Sequence, residues 1–441
     1  MLNINVELTL KQRGILPPSC HARNDTNGNF HLNQNMNMNR TILAIICAAA
    51  GVAAYGQEQD GAGGQQTLQT QSIDEVLQAV ALNNPELQSL AKDTEAAQLQ
   101  LKTENMLEDP TVEYSSFYSP NTTGQSGSEL VVSQGFDFPT IYATRHKQNK
   151  LSSASLDSGL NAERRRILLD AKSICLDIIM YRQLGELLDM QSGIAQEMLE
   201  MYRRRYETGD ATALELNKIK MELMNVATEV ANNSAALSAA ENSLTAMNGG
   251  AEVAFEADFY PLEEEMTDPQ AAIDEYLSGS AAIMAAENAA MAAQKQVSVN
   301  RQNWIPKLEI GYRRNTALRE AENGFIVGGS IPIFANHRKV RMAKAQSASA
   351  HSQLALAKAQ AEAQARSFIA DIQETRAALG AYDQPLMRET LSLLKEAVEG
   401  GQISVIDYFV EASNIYTNLS NCITLQNRYQ KLLAQLHVNQ L

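Results

Sequence analysis

The chain has 441 residues, a formal net charge of −15, only 11 prolines and 6% aromatic side chains. That length accommodates more than one packed unit, and the abundance of Ala, Leu, Gln and Glu favours long helices over extensive sheet. The acidic balance excludes nucleic acid as a natural partner. The six histidines never stand in Glu-x-x-His or His-x-x-x-His spacing, and there is no Gly-x-Ser-x-Gly, phosphate-cradling glycine loop or Cys-x-x-Cys, so no enzyme class and no cofactor is implied.

Residues 1–37 are polar and read as sequence upstream of the true start, Met36 or Met38. Residues 38–56, MNRTILAIICAAAGVAAYG, join a basic Arg40 to an apolar run from Ile42 to Ala54 and end on small residues. This is the pattern of a secretory signal peptide cleaved after Gly56, and the run is too short for a membrane-spanning helix. Cys47 follows the bulky Ile46, which argues against lipidation there. Loss of residues 1–56 removes four basic and two acidic side chains and takes the net charge to −17. Cys175 and Cys422 then remain, both in helical patterns, and read as small buried apolar groups rather than a disulfide.

The rest divides into two tandem repeats, 57–260 and 261–441. The first reads as a helix over 73–107, a hairpin over 109–139, a long helix over 140–208, a corner over 207–215, a return helix over 211–247 and a mixed segment over 248–266. The second reads as a helix over 269–303, a hairpin over 305–334, a long helix over 335–399, a corner over 398–407 and a return helix over 404–438. Pro110 aligns with Pro306, Val112 with Leu308, Tyr114 with Ile310 and Arg145 with Arg341, all at one offset. The long helices carry apolar residues at three-four spacing, Ile167, Ala171, Ile174, Ile178, Tyr181 and Leu188 in one, Ala365, Phe368, Ile372, Leu379, Tyr382 and Leu386 in the other. Such stripes pack as coiled coils. Gly185 and Gly193 weaken the first rod locally by about 1 kcal/mol each, and Pro385 kinks the second.

Each corner has its own chemistry. Gly209 suits the left-handed conformation that ends a helix, and Thr212 with Glu215 forms a capping box for the next one. Gly401, Ser404 and Asp407 repeat the same spacings. Arg203, Arg204, Arg205 and Asp210 are the candidate charge contacts around the first corner. Met190, Met198, Met201, Met221 and Met224 cluster nearby; thioethers suit soft monovalent metals, but methionine is also a common helix-core filler.

In the hairpins, Val112, Tyr114 and Tyr118 share one strand face, as do Leu308, Ile310 and Tyr312. The opposite faces carry Thr111, Glu113 and Ser115, and Lys307, Glu309 and Arg313. Strands of about ten residues with one apolar and one polar face suit a membrane barrel with a wet lumen, with those six apolar residues facing lipid. In the fourth strand Phe325, Val327, Ile331 and Ile333 define the apolar parity, whereas alignment to the second strand gives the other parity; both remain open. Four strands do not close a barrel, and lipid does not tolerate open edges. Three chains supply twelve strands, an allowed even number.

The twin hairpins, with VVSQGFDFP and GGSIPIF, and the twin corners, RYETGDATALEL and VEGGQISVIDYF, occur in an order that resembles the TolC family of bacterial outer-membrane efflux channels over about 73–438. The resemblance implies an α+β membrane protein, a homotrimer sharing a twelve-stranded barrel in the outer-membrane lipid and a helical barrel crossing the periplasm. It implies a mixed belt midway, here residues 57–72, 251–266 and the tail after 420. The corners become periplasmic tips where an adaptor (membrane fusion) protein docks and links the channel to an inner-membrane pump of RND, ABC or MFS type. The implied function is passive conduction of pump-delivered substrates in tripartite efflux or type I secretion. A periplasmic coiled-coil adaptor or scaffold is the rival reading; it leaves unexplained why each half carries a lipid-suited hairpin in the same place.

Overall fold

The computed structural model describes residues 68–70, 72–120, 124–261, 268–317, 320–331 and 336–441. The leader over 38–56, Cys47, the segment 1–37 and parts of the belt (57–67, 71 and 262–266) lie outside the described residues.

The chain order is β1 (Leu68–Thr70), α1 (Ile73–Asn83), α2 (Pro85–Thr103), β2 (Thr111–Tyr118), β3 (Gln125–Phe136), α3 (Pro139–Thr208), α4 (Ala213–Met247), then β4 (Val253–Phe255). The second half continues with α5 (Pro269–Gly279), α6 (Ala281–Gln302), β5 (Lys307–Ala317), β6 (Glu320–Ser330), α7 (Asn336–Leu379), α8 (Gln384–Glu399) and α9 (Val405–Leu436). A single 3-10 turn, Val438–Gln440, closes the chain.

The opening helix of each half is not continuous, as the sequence reading had it, but broken at matching places. Asn84 ends α1 and caps α2 with its backbone extended (φ −64°, ψ 120°). The following Pro85 bars the helical conformation from Asn84 yet is at home in a first helical turn. Asn84 is buried, accepts the Leu87 N–H at 2.9 Å and donates to the Met247 carbonyl at 2.8 Å, so its side chain ties the break to the end of α4. In the second half Ser280 ends α5 and caps α6 with nearly the same backbone (φ −66°, ψ 110°). Here the reason is tertiary. A Cβ on Gly279 would meet the Asn439 side chain at 2.8–2.9 Å, so the break sits where the chain's last turn packs.

α3 runs 70 residues without interruption, a rod of about 105 Å, and Gly185 and Gly193 leave it continuous. Its partner is broken: α7 ends at Leu379, residues Gly380–Asp383 leave the helix, and the Asp383 carboxylate caps α8 by accepting the Leu386 N–H at 3.0 Å. The long helix read over 335–399 is therefore two helices. The break resets the helical phase, so Leu386, placed on the apolar stripe by sequence, is 58% exposed, and Leu391 and Val398 are buried instead.

α3 packs against α4, α6 and α9, and α7 against α6 and α9. Three apolar clusters fill the bundle. One joins α1 (Val76, Val80) to α3 (Ile167, Ala171, Cys175, Ile178), Leu244 and Phe255, beside the parallel pair β1–β4. A second joins Ile273 to Ala365, Ile369, Ile372 and Leu433. The third lies under the two corners. Cys175 and Cys422 are buried free thiols, and burial raises the Cys175 thiol to about 12, the behaviour of an inert core residue.

Candidate functional site: the paired corners and the exposed sheet

At the first corner Gly209 has φ +84°. Its N–H donates to the Tyr206 carbonyl at 3.2 Å and the Asp210 N–H to the Arg205 carbonyl at 2.7 Å, the crossed pair that ends a helix on a left-handed residue. Thr212 accepts the Glu215 N–H at 3.2 Å, and the Glu215 carboxylate accepts the Thr212 N–H at 2.7 Å. The capping box is complete. Those bonds, the backbone one foremost, hold the Glu215 carboxyl below its ordinary value, helped by the Arg205 charge.

At the second corner Gly401 has φ +71°, and the Gly401 and Gln402 N–H groups close on the Val398 and Ala397 carbonyls at 3.2 and 2.8 Å. The capping box read there is only half formed. Ser404 accepts the Asp407 N–H at 3.1 Å and donates its hydroxyl to the Asp407 carboxylate at 2.7 Å, as Thr212 does to Glu215 at 2.8 Å, but the carboxylate does not reach the Ser404 N–H. Aspartate is one methylene shorter than glutamate, so the reciprocal bond to the cap backbone is not made.

The two corners, far apart in sequence, meet. Tyr202, Met198 and Ile219 from the first pack with Val398, Val405, Tyr408 and Tyr416 from the second in one buried cluster. Arg205 lies 5.2 Å over the Tyr202 ring and donates to the Glu399 carbonyl at 2.9 Å. One turn deeper, Lys395 pairs with Glu197 at 2.5 Å, a bridge that sequence reading missed. Burial raises the Tyr202, Tyr408 and Tyr416 hydroxyls above their ordinary range.

Of the four candidate charge contacts only Arg205 crosses between corners. Arg203 pairs with Glu207 on its own helix at 3.7 Å, both 66% exposed, Arg204 is exposed, and Asp210 accepts the Thr208 hydroxyl at 2.9 Å. Such exposed local pairs contribute little to stability. The methionines divide too: Met198 is fully buried, whereas Met190, Met221 and Met224 are 41–66% exposed. Among the described residues no group of three His, Cys, Asp or Glu side chains is placed to hold a metal ion.

The two hairpins form one antiparallel sheet in the order β2-β3-β5-β6. Its register fixes the faces. Val112 opposes Val132 and Tyr114 opposes Leu130; Val132 in turn opposes Tyr312. Ile310 opposes Val327 and Tyr312 opposes Phe325. Opposed residues share a face, so the fourth strand's Phe325 and Val327 join Val112, Tyr114, Leu308, Ile310 and Tyr312 on the apolar parity; Ile331 follows the end of β6 and Ile333 lies outside the described residues. That face is open to solvent in the single chain, with Tyr114 at 63%, Tyr118 at 72%, Val327 at 82% and Phe325 at 89% exposure. The other face carries Glu113, Glu309 and a Glu129–Arg313 pair at 2.5 Å. β2 and β6, the sheet's edges, have no strand on their outer sides among the described residues, and they run in opposite directions.

No protein-family model matches the chain, and no curated protein matches its sequence. Solved structures do match. The outer membrane protein VceC from Vibrio cholerae superposes with a TM-score of 0.69 at 15% identity over 83% of this chain and 95% of that one. CusC, described in connection with transmembrane channel formation, gives a TM-score of 0.70 at 15% identity over 84% and 92%. The Campylobacter jejuni CmeC outer membrane channel gives 0.66 at 13% over 83% and 85%. The chain has the fold of these TolC-like outer-membrane channels.

Proposed function

We propose that the protein is the outer-membrane channel of a tripartite efflux or type I secretion system, non-enzymatic, and passively conducting what an inner-membrane pump delivers through a periplasmic adaptor. The observation that carries this reading is the sheet: an exposed, mainly apolar face interrupted by Gln134, Arg314 and Asn323, a largely polar reverse face, and, among the described residues, two free edges of opposite direction. An isolated soluble sheet with that face and those edges would aggregate. In a bilayer, β6 of one copy pairs antiparallel with β2 of the next, and three copies close twelve strands with no edge left. Eleven residues in β5 and in β6 span about 36 Å, enough to cross the apolar layer at a tilt of about 45°.

The corners then form the periplasmic end, six per trimer, and are the docking and gating surface. Gly209, Thr212, Glu215, Gly401, Ser404 and Asp407 set its geometry. The segments that hold the β1–β4 pair and the tail after 420 form the belt between.

The test is the oligomeric mass, in detergent, of residues 57–441 purified from the outer-membrane fraction. A detergent-dependent trimer supports the shared barrel. A monomer soluble without detergent sinks it and leaves a periplasmic scaffold.

A further inference from the structure

Both helices that leave the sheet carry basic residues within their first twelve positions. α3 carries Lys147 and Lys150, and α7 carries His337, Arg338, Arg341 and Lys344, all exposed. At about 100° per residue Lys147, Arg338 and Arg341 fall opposite the buried Asn149 of α3 and Ala343 of α7, while Lys150, His337 and Lys344 fall on the flank of those residues. The four on α7 make one stripe. Among the described residues no acidic side chain pairs with these five lysines and arginines.

Helix stability does not explain the arrangement. The first turn of α7 contains no acid, and positive charge at a helix N-terminus opposes the helix dipole. Nor does composition, since the chain is acidic overall, at −15. Counted from the end of the second strand of each hairpin the placement matches: Lys147 and Lys150 stand eleven and fourteen residues past Phe136, and Arg341 and Lys344 eleven and fourteen past Ser330, which ties the charge to the end of the sheet. Around that end stand exposed apolar side chains, Trp304 at 65%, Ile331 at 66% and Phe138 at 39%, with Asp109 exposed and the acids Glu108 and Asp137 taken up by Lys307 and Arg145. An apolar sheet face ending in an aromatic residue and then a basic stripe matches a bilayer boundary, where rings sit at headgroup level and cations meet anionic lipid.

We propose that the two basic stripes bind anionic phospholipid headgroups of the periplasmic leaflet, fixing the depth of the barrel in the membrane. The inference rests on the outer-membrane placement argued above. Lysine and arginine near an anionic surface each strengthen binding severalfold, so stripes repeated in three chains give a marked headgroup preference that salt weakens.

Trp304 is the only tryptophan, so its fluorescence reports on this boundary alone. The full chain is reconstituted in phosphatidylethanolamine vesicles doped with brominated phosphatidylglycerol or, separately, with brominated phosphatidylethanolamine. The expected result is preferential quenching by brominated phosphatidylglycerol, with relative affinity about tenfold higher at low salt. That preference should be lost in a variant carrying K147Q, K150Q, R338Q, R341Q and K344Q. If that variant fails to assemble, the pairs K147Q/K150Q and R341Q/K344Q should each halve the preference. Equal quenching by both lipids in the wild type overturns the headgroup site but leaves the barrel standing. Absence of quenching by either lipid places Trp304 outside the bilayer and overturns the outer-membrane placement itself.

Discussion

The first rod and the second rod start from the same plan and end differently. α3 crosses 70 residues unbroken, while its counterpart splits into α7, of 44 residues, and α8, of 16. Gly193 stands as far before Gly209 as Pro385 stands before Gly401. Glycine at that place weakens a helix by about 1 kcal/mol relative to alanine; proline removes a hydrogen bond and clashes with the preceding turn. The difference teaches that a repeat can keep its corners while one substitution resets the phase between them. On the second rod, the break turns Leu386 outward and brings Leu391 and Val398 inward.

The sheet is where the halves agree, and breaking that agreement should cost most. Tyr114→Lys and Ile310→Lys each put a charge on the shared apolar face. If that face meets lipid, each should destabilise assembly by up to about 4 kcal/mol per chain, read as loss of trimer from the outer membrane. Glu113→Gln, on the reverse face, serves as the control with normal assembly. Normal trimer yield from both lysine variants would mean the faces are reversed.

Making the first rod resemble the second is the next largest effect. Gly193→Pro should destabilise α3 by about 2 kcal/mol, the difference between the proline and glycine penalties, and give rapid amide exchange around residue 193, where the wild type is protected. A Cβ at Gly193 meets nothing within 4 Å, so Gly193→Ala should stabilise the rod by up to about 1 kcal/mol. Unchanged protection in the proline variant would show that the rod's continuity does not depend on this position.

How much of this was legible in the sequence varies by mechanism. The order of elements and both corners follow from local chemistry: a left-handed glycine, then a capping residue. The break at Asn84 was also legible, because Asn-Pro excludes helix at the asparagine. The break at Ser280 was not, because it depends on Gly279 approaching Asn439, a contact between distant parts of the chain. The parity of β6 needed the observed register, since alignment to β3 pointed to the opposite face. Among three consecutive arginines, only Arg205 lies on the same helical stripe as Met198 and Tyr202. Its three-four spacing from those residues was a usable signal, whereas the Glu197–Lys395 bridge between rods had no local signature.

The corners offer a finer comparison. Gly209→Val and Gly401→Val each force a β-branched residue into the left-handed region, at about 1–2 kcal/mol. Equal increases in amide exchange at both corners and impaired efflux, with trimers still in the membrane, are the expected outcome. Unaltered efflux would count against the corners as the docking end.

The smallest effect separates the two caps. Thr212 supports a reciprocal box, whereas at Ser404 the hydroxyl bonds Asp407 but the cap N–H does not. Thr212→Ala should therefore cost about 1 kcal/mol, and Ser404→Ala a few tenths less, measured by exchange of the first-turn amides of α4 and α9. Titration sharpens the contrast. The Glu215 carboxyl is held below its usual value by the Thr212 N–H and hydroxyl, so its deprotonated form is favoured in the folded corner. Its contribution is fully present above the unfolded carboxyl range and is lost as pH falls through the depressed folded value. The side-chain carboxyl signal of Glu215 should titrate below 4.5, the ordinary value, and Thr212→Ala should move that midpoint upward. A midpoint that stays put in the alanine variant would show that the Thr212 hydroxyl does not hold the carboxylate and leave that role to the backbone N–H, which alanine keeps.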